Sequence, residues 1–434
     1  MKSEGTEGRS PGRPAACPDR RSRPSMVWHF YGTTAACMGL DEETFIEVNS
    51  RPSHSWNECL RRLRAEHSVD SRIFLLSESR RWRTLEREAL CWDLAPATWG
   101  SLHARRPWSR WLGRSEYQSS MAFLGELRRR PPDLFVFYGN LPTPFARWTA
   151  SILARRHIPY VATLHGTLLD LPPRGSRRSG GESPTLAGRL LRSLRSGELA
   201  FVFRHAAAVL PLTRADRDRI VAAGLADPER IHVLPSGISS LYFHRREAEP
   251  KDPYPALCFA GRLSEAKGLL DAVRCVEAVR RRFPQARLHV AGQWLADGYE
   301  REVRQFIAGK GLEDAVAFHG YLHPEDLGRL FRRCHLMLFP TRHEGLGRVA
   351  LEGMLCGLPV AAVAGAGGPD ELIRDGRNGL LTAREELPDR VVRCLEDPVA
   401  LQAMAEQAAA GTASEYSFER MYAKVEELYL KLLG

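Results

Sequence analysis

The sequence predicts an α/β protein built as two doubly wound domains facing each other across a cleft, and three observations carry that prediction. The chain has 434 residues, whereas a single hydrophobic core stops growing at roughly 250–300. Short β-rich apolar runs alternate with helical patterns, which implies βαβ units and mainly parallel sheets. The alternation halts at a polar seam and then restarts. With 44% hydrophobic and 26% charged residues, each half has enough apolar material for its own core.

Residues 1–25 are rich in Arg, Pro, Ser and Gly and hold no apolar run that could be the centre of a secretory signal, so they read as a disordered basic tail. The first domain, 26–236, has strand patterns at Val27–Tyr31, Arg72–Ser77, Leu134–Tyr138, Tyr160–Leu164, Ala207–Leu212 and Ile231–Leu234, with crossover helices such as Pro144–Arg156. It also contains an Arg-, Gly- and Ser-rich insertion at about 172–195, with Arg174, Arg177, Arg178, Arg189, Arg192 and Arg195. That charge would attract anionic lipid headgroups; a solvated loop is the equal alternative.

The seam is Pro235-Ser236-Gly237 followed by the polar stretch Arg245–Pro253. Beyond it, in 237–412, strands are expected at Ala256–Ala260, Arg287–Ala291, Ala315–His319, Leu336–Phe339 and Leu358–Val363. Residues 413–434 form a last helix. Ligands of such sheets bind outside the carboxyl ends of the strands, so the chemistry belongs on the strand-exit loops.

The net charge of +10 suits nucleic acid, anionic lipid or phosphorylated small molecules alike. Nucleic acid is disfavoured, because no motif of stacking aromatics or recognition helix accompanies the charge. The nine cysteines, among them Cys37, Cys91, Cys258 and Cys356, never take a C-x-x-C spacing and read as reduced, packed thiols of a cytoplasmic protein. The longest apolar stretch, Ala200–Leu212, is broken by Arg204 and His205 and falls short of the roughly 20 residues of a membrane span. Peripheral contact with the inner membrane face is the remaining membrane role.

A nicotinamide site is disfavoured by the lack of its fingerprint. Neither Gly32 nor Gly261 opens a G-x-G-x-x-G, and Gly365-Ala366-Gly367-Gly368 has Asp370 where the third glycine belongs. Instead, Gly261-Arg262 and Lys267-Gly268 stand where the first strand of the second domain meets a helix, and two long cations beside a helix N-terminus suit a diphosphate. Glu344 falls on the loop after Phe339-Pro340, and Glu352 falls inside the next helix. Gly347 and Arg348 at that helix's start offer backbone N–H groups to an anion. Gly367-Gly368-Pro369-Asp370-Glu371 opens a further short helix on the same side. In the first domain, His165 ends a strand beside Gly166, placed for a polar or acid–base role, although a lone histidine is more often a satisfied loop or core residue.

Asp216-Arg217-Asp218 spells a metal-chelating D-x-D but opens a helix, where acidic residues favour the positive dipole end. His54, His67, His157 and His232 show no metal-ligand clustering, so no metal is expected.

Together, Gly261-Arg262-x4-Lys267-Gly268, Glu344-x7-Glu352, Cys356-Gly357-Leu358-Pro359-Val360 and Asp375-Gly376-x-Asn378-Gly379-Leu380 resemble the retaining family-4 glycosyltransferases of GT-B architecture, almost continuously from Ala256 to Leu381. The resemblance implies that Arg262 and Lys267 neutralise a donor diphosphate, Glu352 holds the ribose hydroxyls and Glu344 contacts the transferred sugar. It implies that His165 of Thr163-Leu164-His165-Gly166 faces the sugar across the cleft, and that Leu234-Pro235-Ser236-Gly237-Ile238 is the interdomain hinge, with Ser where Asn is usual. The helix from Tyr416-Ser417-Phe418 onward is similar to the family's terminal helix, which crosses back onto the first domain. Tyr31-Gly32-Thr33-Thr34 corresponds to the family's first phosphate-side loop, with one glycine in place of a pair.

The function so implied is transfer of a sugar from a UDP- or GDP-sugar to a saccharide or lipid-linked acceptor with retention of configuration, without metal or other cofactor. Within enzymes, the Glu344-x7-Glu352 pair with Arg262 and Lys267 favours transfer over isomerisation, epimerisation or phosphorolysis. The alternative of another class is a non-catalytic nucleotide-sugar-binding or scaffold protein of the same architecture.

Overall fold

The computed structural model describes residues 24–31, 41–51, 54–77, 79–97, 119–139, 141, 143–164, 197–244, 250–295 and 297–434. The expectations for residues 1–23, Gly32, His165 and the 172–195 insertion lie outside the described residues.

The first sheet comprises β1 (Ser25–Tyr31), β2 (Val69–Ser77), β3 (Arg83–Arg87), β4 (Leu90–Pro96), β5 (Leu134–Tyr138), β6 (Tyr160–Thr163) and β7 (Ala208–Leu210), in the order β3-β4-β2-β1-β5-β6-β7. All neighbours are parallel except β3 and β4. β1 is buried on both faces from Val27 to Tyr31, as a central parallel strand must be when helices cover both sides. One face carries α3 (Met121–Arg129), α4 (Pro144–Arg155) and α5 (197–205) over Phe74, Phe135 and Phe137. The other carries α1 (Glu42–Ser50) and α2 (Ser55–His67) over Val27, Ile73 and Val136.

The β3-β4 hairpin and its strands were not expected. Its two-residue turn, Glu88-Ala89, has φ of 49° and 58°, the pair of positive values a type I′ turn requires. Neither Asn nor Gly announces it, and β3 is an exposed edge with one apolar residue, Leu85. What fixes the hairpin is a buried carboxylate. Asp93 accepts two hydrogen bonds from Arg72 at 2.8 and 2.7 Å, one from Trp82 Nε1 at 3.0 Å and one from the Thr84 hydroxyl at 2.7 Å.

Ile231–Leu234 does not form the strand expected of it. Ile231 makes one bridge to Val209, and His232 and Leu234 donate to Val209 and Pro211 carbonyls, before Pro235 ends the run.

The second sheet comprises β8 (Ala256–Ala260), β9 (Arg287–Ala291), β10 (Val316–Gly320), β11 (Leu336–Phe339), β12 (Val360–Val363) and β13 (Gly379–Thr382) in the order β10-β9-β8-β11-β12-β13, all parallel. The chain runs outward from β8 to β10 and returns to β11 on the other side of β8, so the order reverses between β8 and β11. That is where an open α/β sheet leaves a crevice. β13 went unexpected because it is four residues long and starts with a glycine, whose added Cβ would lie 2.4 Å from the Val360 carbonyl oxygen.

The sheet is covered by α7 (Leu269–Arg282), α8 (Asp297–Gly309), α9 (Pro324–Arg333), α10 (Arg348–Leu355), the short α11 (Gly368–Leu372), α12 (Leu387–Leu395) and α13 (Pro398–Glu415). The last helix, α14 (Phe418–Leu433), leaves this domain and buries Met421, Tyr422, Val425 and Tyr429 in the core of the first. Its solvent side is tied to α2: Arg62 pairs with Glu419 at 2.7 Å and lies 4.0 Å above the Tyr422 ring, whose hydroxyl donates to Glu66. Gly237 lies against the start of α14, where a Cβ would stand 2.8 Å from Met421 Cβ. Two strands of chain therefore cross between the domains side by side, Ile238 bridging Ser417.

The described cysteines are free thiols. Among the described residues no helix is long and apolar enough to cross a membrane.

Candidate functional site

Three consecutive strand-exit loops of the second domain, after β8, β11 and β12, converge at the crevice between β8 and β11. After β8 the chain turns at Gly261, φ 141°, and its carbonyl lies so close to Gly292 that a Cβ there would be 1.7 Å away. A 3-10 turn, Glu265–Lys267, then delivers the chain to Gly268, φ 75°, which caps α7. A Cβ on Gly268 would sit 2.2 Å from the Pro340 carbonyl oxygen, so only glycine lets the start of α7 approach the β11 exit this closely.

The two loops are stitched by further bonds. Arg342 N–H donates to Ala266 at 2.9 Å, and Arg384 donates to the Pro340 carbonyl at 3.1 Å while paired with Asp271. Across this seam Lys267 Nζ meets Glu344 Oε2 at 2.5 Å, both side chains largely covered. Arg262 is exposed at the rim.

The loop after β12 holds Glu344 from its other side. Glu344 N–H donates to Ala366 and its carbonyl accepts from Gly368, both at 2.9 Å. Asp370 accepts from the N–H groups of Gly365 and Gly367 at 2.7 and 2.8 Å. The residue that breaks the dinucleotide fingerprint is thus the one that shapes this turn.

α10 begins at Arg348 with Gly347, φ 96°, as its cap, and its first-turn N–H groups lack partners within the helix. Glu352 lies one turn further, its side chain only 14% exposed. Burial raises its pKa above the usual carboxylate value, and Arg348, 3.6 Å away, opposes that shift. Arg348 also reaches the first domain, lining a pocket with Ser55, Trp56, Tyr138, Thr163 and the seam residue Ser236. The sequence suggested only its backbone; the side chain's position between domains depends on tertiary contact.

Arg262, Lys267, Glu344, Gly347, Arg348 and Glu352 are therefore gathered on one edge of the second sheet, with Gly261 at the base of the first loop. Contacts between domains that the sequence did not single out flank them. Arg214 N–H donates to Glu371 at 2.7 Å, and Arg51 meets His323 Nδ1 at 2.5 Å. These pairs are 157 and 272 residues apart, and no local pattern marks them.

Two groups of metal-ligand residue type can be placed. Asp216 is buried, exchanging hydrogen bonds with the α6 (Arg214–Ala222) cap Thr213, whereas Asp218 is exposed, so the D-x-D carboxylates do not face one point. Packing of α14 on α2 brings Glu426 within 2.5 Å of His67, beside its sequence neighbour Glu66, which corrects the expectation that His67 has no clustered neighbours. Glu66 is already held by Arg62 and Tyr422, remote from the crevice.

The model for "Glycosyl transferases group 1" matches residues 243–411, and that for "Glycosyl transferase 4-like domain" matches residues 53–237. Alpha-D-kanosaminyltransferase of Streptomyces kanamyceticus is 28% identical over 288 residues, 63% of this chain and 73% of that protein. D-inositol 3-phosphate glycosyltransferase of Arthrobacter sp. (strain FB24) is 29% identical over 282 residues, 63% of this chain and 65% of that protein, just under two thirds of its length. Among solved structures, Anabaena HepE in complex with UDP superposes with a TM-score of 0.66 at 18% identity, covering 94% of this chain and all of HepE, and so shares the GT-B fold. With the two family models spanning 53–411 but for a five-residue gap at the hinge, the chain belongs to the group 1 glycosyltransferases and is a transferase of GT-B architecture.

Proposed function

We propose that this transferase moves a sugar from a UDP- or GDP-sugar to a saccharide or lipid-linked acceptor with retention of anomeric configuration. The observation that carries the reading is the convergence of Lys267, Glu344 and the N-terminus of α10 on one crevice, 2.5 Å apart for the first two. HepE was solved with UDP and with UDP-glucose, which supports a uridine donor for a chain of this fold.

In this reading Arg262, Lys267 and the N–H groups of Gly347 and Arg348 hold the diphosphate, and Glu352 accepts from the ribose hydroxyls. Charge builds on the leaving diphosphate as the glycosidic bond breaks, so fixed cations stabilise the transition state more than the ground state. Glu344, anchored through its backbone to Ala366 and Gly368, orients the sugar, and the family resemblance assigns His165 a contact with the same sugar. These cations take the neutralising role a divalent ion has elsewhere, so activity should survive EDTA.

The test is release of free nucleoside diphosphate from a panel of UDP-, GDP- and ADP-sugars, with thermal stabilisation read in parallel. One base should stand out, and Arg262→Ala should lower turnover about a hundredfold. Full activity in both Arg262→Ala and Glu344→Gln would refute the site. Selective stabilisation with no release, even with membrane-lipid and saccharide acceptors, would show a non-catalytic binding protein instead.

A further inference from the structure

The helices α3, α4 and α5 cover one face of the first sheet and lead into the parallel strands β5, β6 and β7, so all three end at the same sheet edge, opposite the cleft. Exposed arginines gather there: Arg128, Arg129 and Arg130 in the last turn and C-cap of α3, Arg155 and Arg156 at the end of α4, and Arg204 in α5. Among the described residues the acids nearby are few and engaged. Glu126 pairs with Arg129 at 2.9 Å, Glu198 lies 3.6 Å from Arg147, and Asp133 accepts from Met26 N–H at 2.9 Å.

Basic residues at helix ends complement the helix dipole, and that alone explains a last-turn arginine. It does not explain Trp148, 53% exposed on α4 two turns before Arg155 and on the same helical face, with half-buried Ile152 between them. α3 repeats the layout: Met121 is 52% exposed, Arg128 follows two turns later, and, the helix's own backbone apart, no described residue lies within 4 Å of a Cβ on Gly125 between them. α4 carries no acid along its length.

We propose that the outer face of α3 and α4 docks onto an anionic lipid bilayer. Exposed Trp148 and Met121 enter the boundary between headgroups and acyl chains, where amphipathic indole rings reside, and the arginines at the helix ends take lipid phosphates. A polynucleotide would call for aromatics set along a basic groove to stack bases. Here the helical face of Trp148 continues into Ile152 and Arg155 with no second exposed ring among its described residues, which suits lipid. The cleft opens at the opposite edge of the sheet, so docking leaves the donor path clear.

The experiment is co-sedimentation of the full chain with vesicles of pure phosphatidylcholine and of equal parts phosphatidylcholine and phosphatidylglycerol, over a salt series. Binding is expected only to the anionic vesicles and should weaken with salt. Arg128→Glu/Arg155→Glu/Arg156→Glu should reduce it about a hundredfold or more, since each surface cation contributes about fivefold and reversal adds repulsion. Trp148→Ala, an exposed position that leaves folding intact, should weaken it several-fold at every salt concentration. The proposal is overturned if the wild-type chain stays in the supernatant at about 0.1 M salt, or if neither variant changes binding. Capture by single-stranded RNA but not by anionic vesicles overturns it in favour of a polynucleotide.

Discussion

Lys267 and Glu344 are 77 residues apart, yet they meet at 2.5 Å where the exits of β8 and β11 lie side by side, with less than a fifth of either side chain exposed. Removing one partner strands the other charge in a largely covered site, which costs more than removing both. Lys267→Met and Glu344→Gln should each lower the Tm, and the double variant should recover part of the loss. Activity should not recover, because the cation is still missing; Lys267→Met is expected to reduce kcat about a hundredfold. Thermal melts of the three variants beside turnover measurements separate the two effects. Equal additive losses would show that the pair is uncoupled.

Gly268→Ala tests the close approach of α7 to Pro340. The new Cβ would stand 2.2 Å from a carbonyl oxygen at a residue with φ 75°, so backbone has to move. A loss of about 2–4 kcal/mol is expected in denaturant unfolding, together with weaker nucleoside diphosphate binding as Lys267 shifts. Gly125→Ala, a helical glycine with open space around it, is the control and should be neutral or slightly stabilising.

Glu352 carries a pKa raised by burial, so the folded protein holds its proton more tightly than the unfolded chain does. Its ionisation therefore costs stability as pH rises through that raised pKa. Glu352→Gln should raise the Tm at neutral pH relative to the parent, and the gain should vanish in acid, where both forms are neutral. The same change should weaken nucleoside diphosphate binding about tenfold, by loss of charge-assisted hydrogen bonds to the ribose. Calorimetric titration against UDP and GDP checks the second effect.

His335 accepts a hydrogen bond from Ala256 N–H at 3.1 Å through Nδ1, and burial lowers its pKa to about 4. The unfolded chain binds this proton near pH 6.5 and the folded one does not, so stability is lost as pH falls from there toward 4. His335→Asn keeps a side-chain acceptor but cannot titrate. Its Tm should fall less steeply than the parent's between pH 6.5 and 4; parallel curves would assign the acid sensitivity elsewhere, with buried His29, lowered to about 3, next in line.

Central strands were legible because burial on both faces leaves a continuous apolar run, as in Leu134–Tyr138 and Leu336–Phe339. The edge strand β3 and its partner β4 were not, because β3 has little to bury and Glu88-Ala89 turns without the residues that announce a type I′ turn; nor was the four-residue edge strand β13. At the site, the glycines and charges at strand exits were readable one by one, since each sits at a predictable junction. Their partners were not, because Arg384 with Asp271, Arg214 with Glu371 and Arg51 with His323 are joined only by folding.

By itself the sequence determined two doubly wound domains, the strand exits that carry chemistry and the residue types placed there, because periodicity and turn chemistry are local. Only the tertiary structure decided which of those residues touch. It set Lys267 on Glu344, turned the Arg348 side chain toward the first domain's pocket and laid α14 across α2, because strand order and domain packing bring together groups that sequence distance keeps apart.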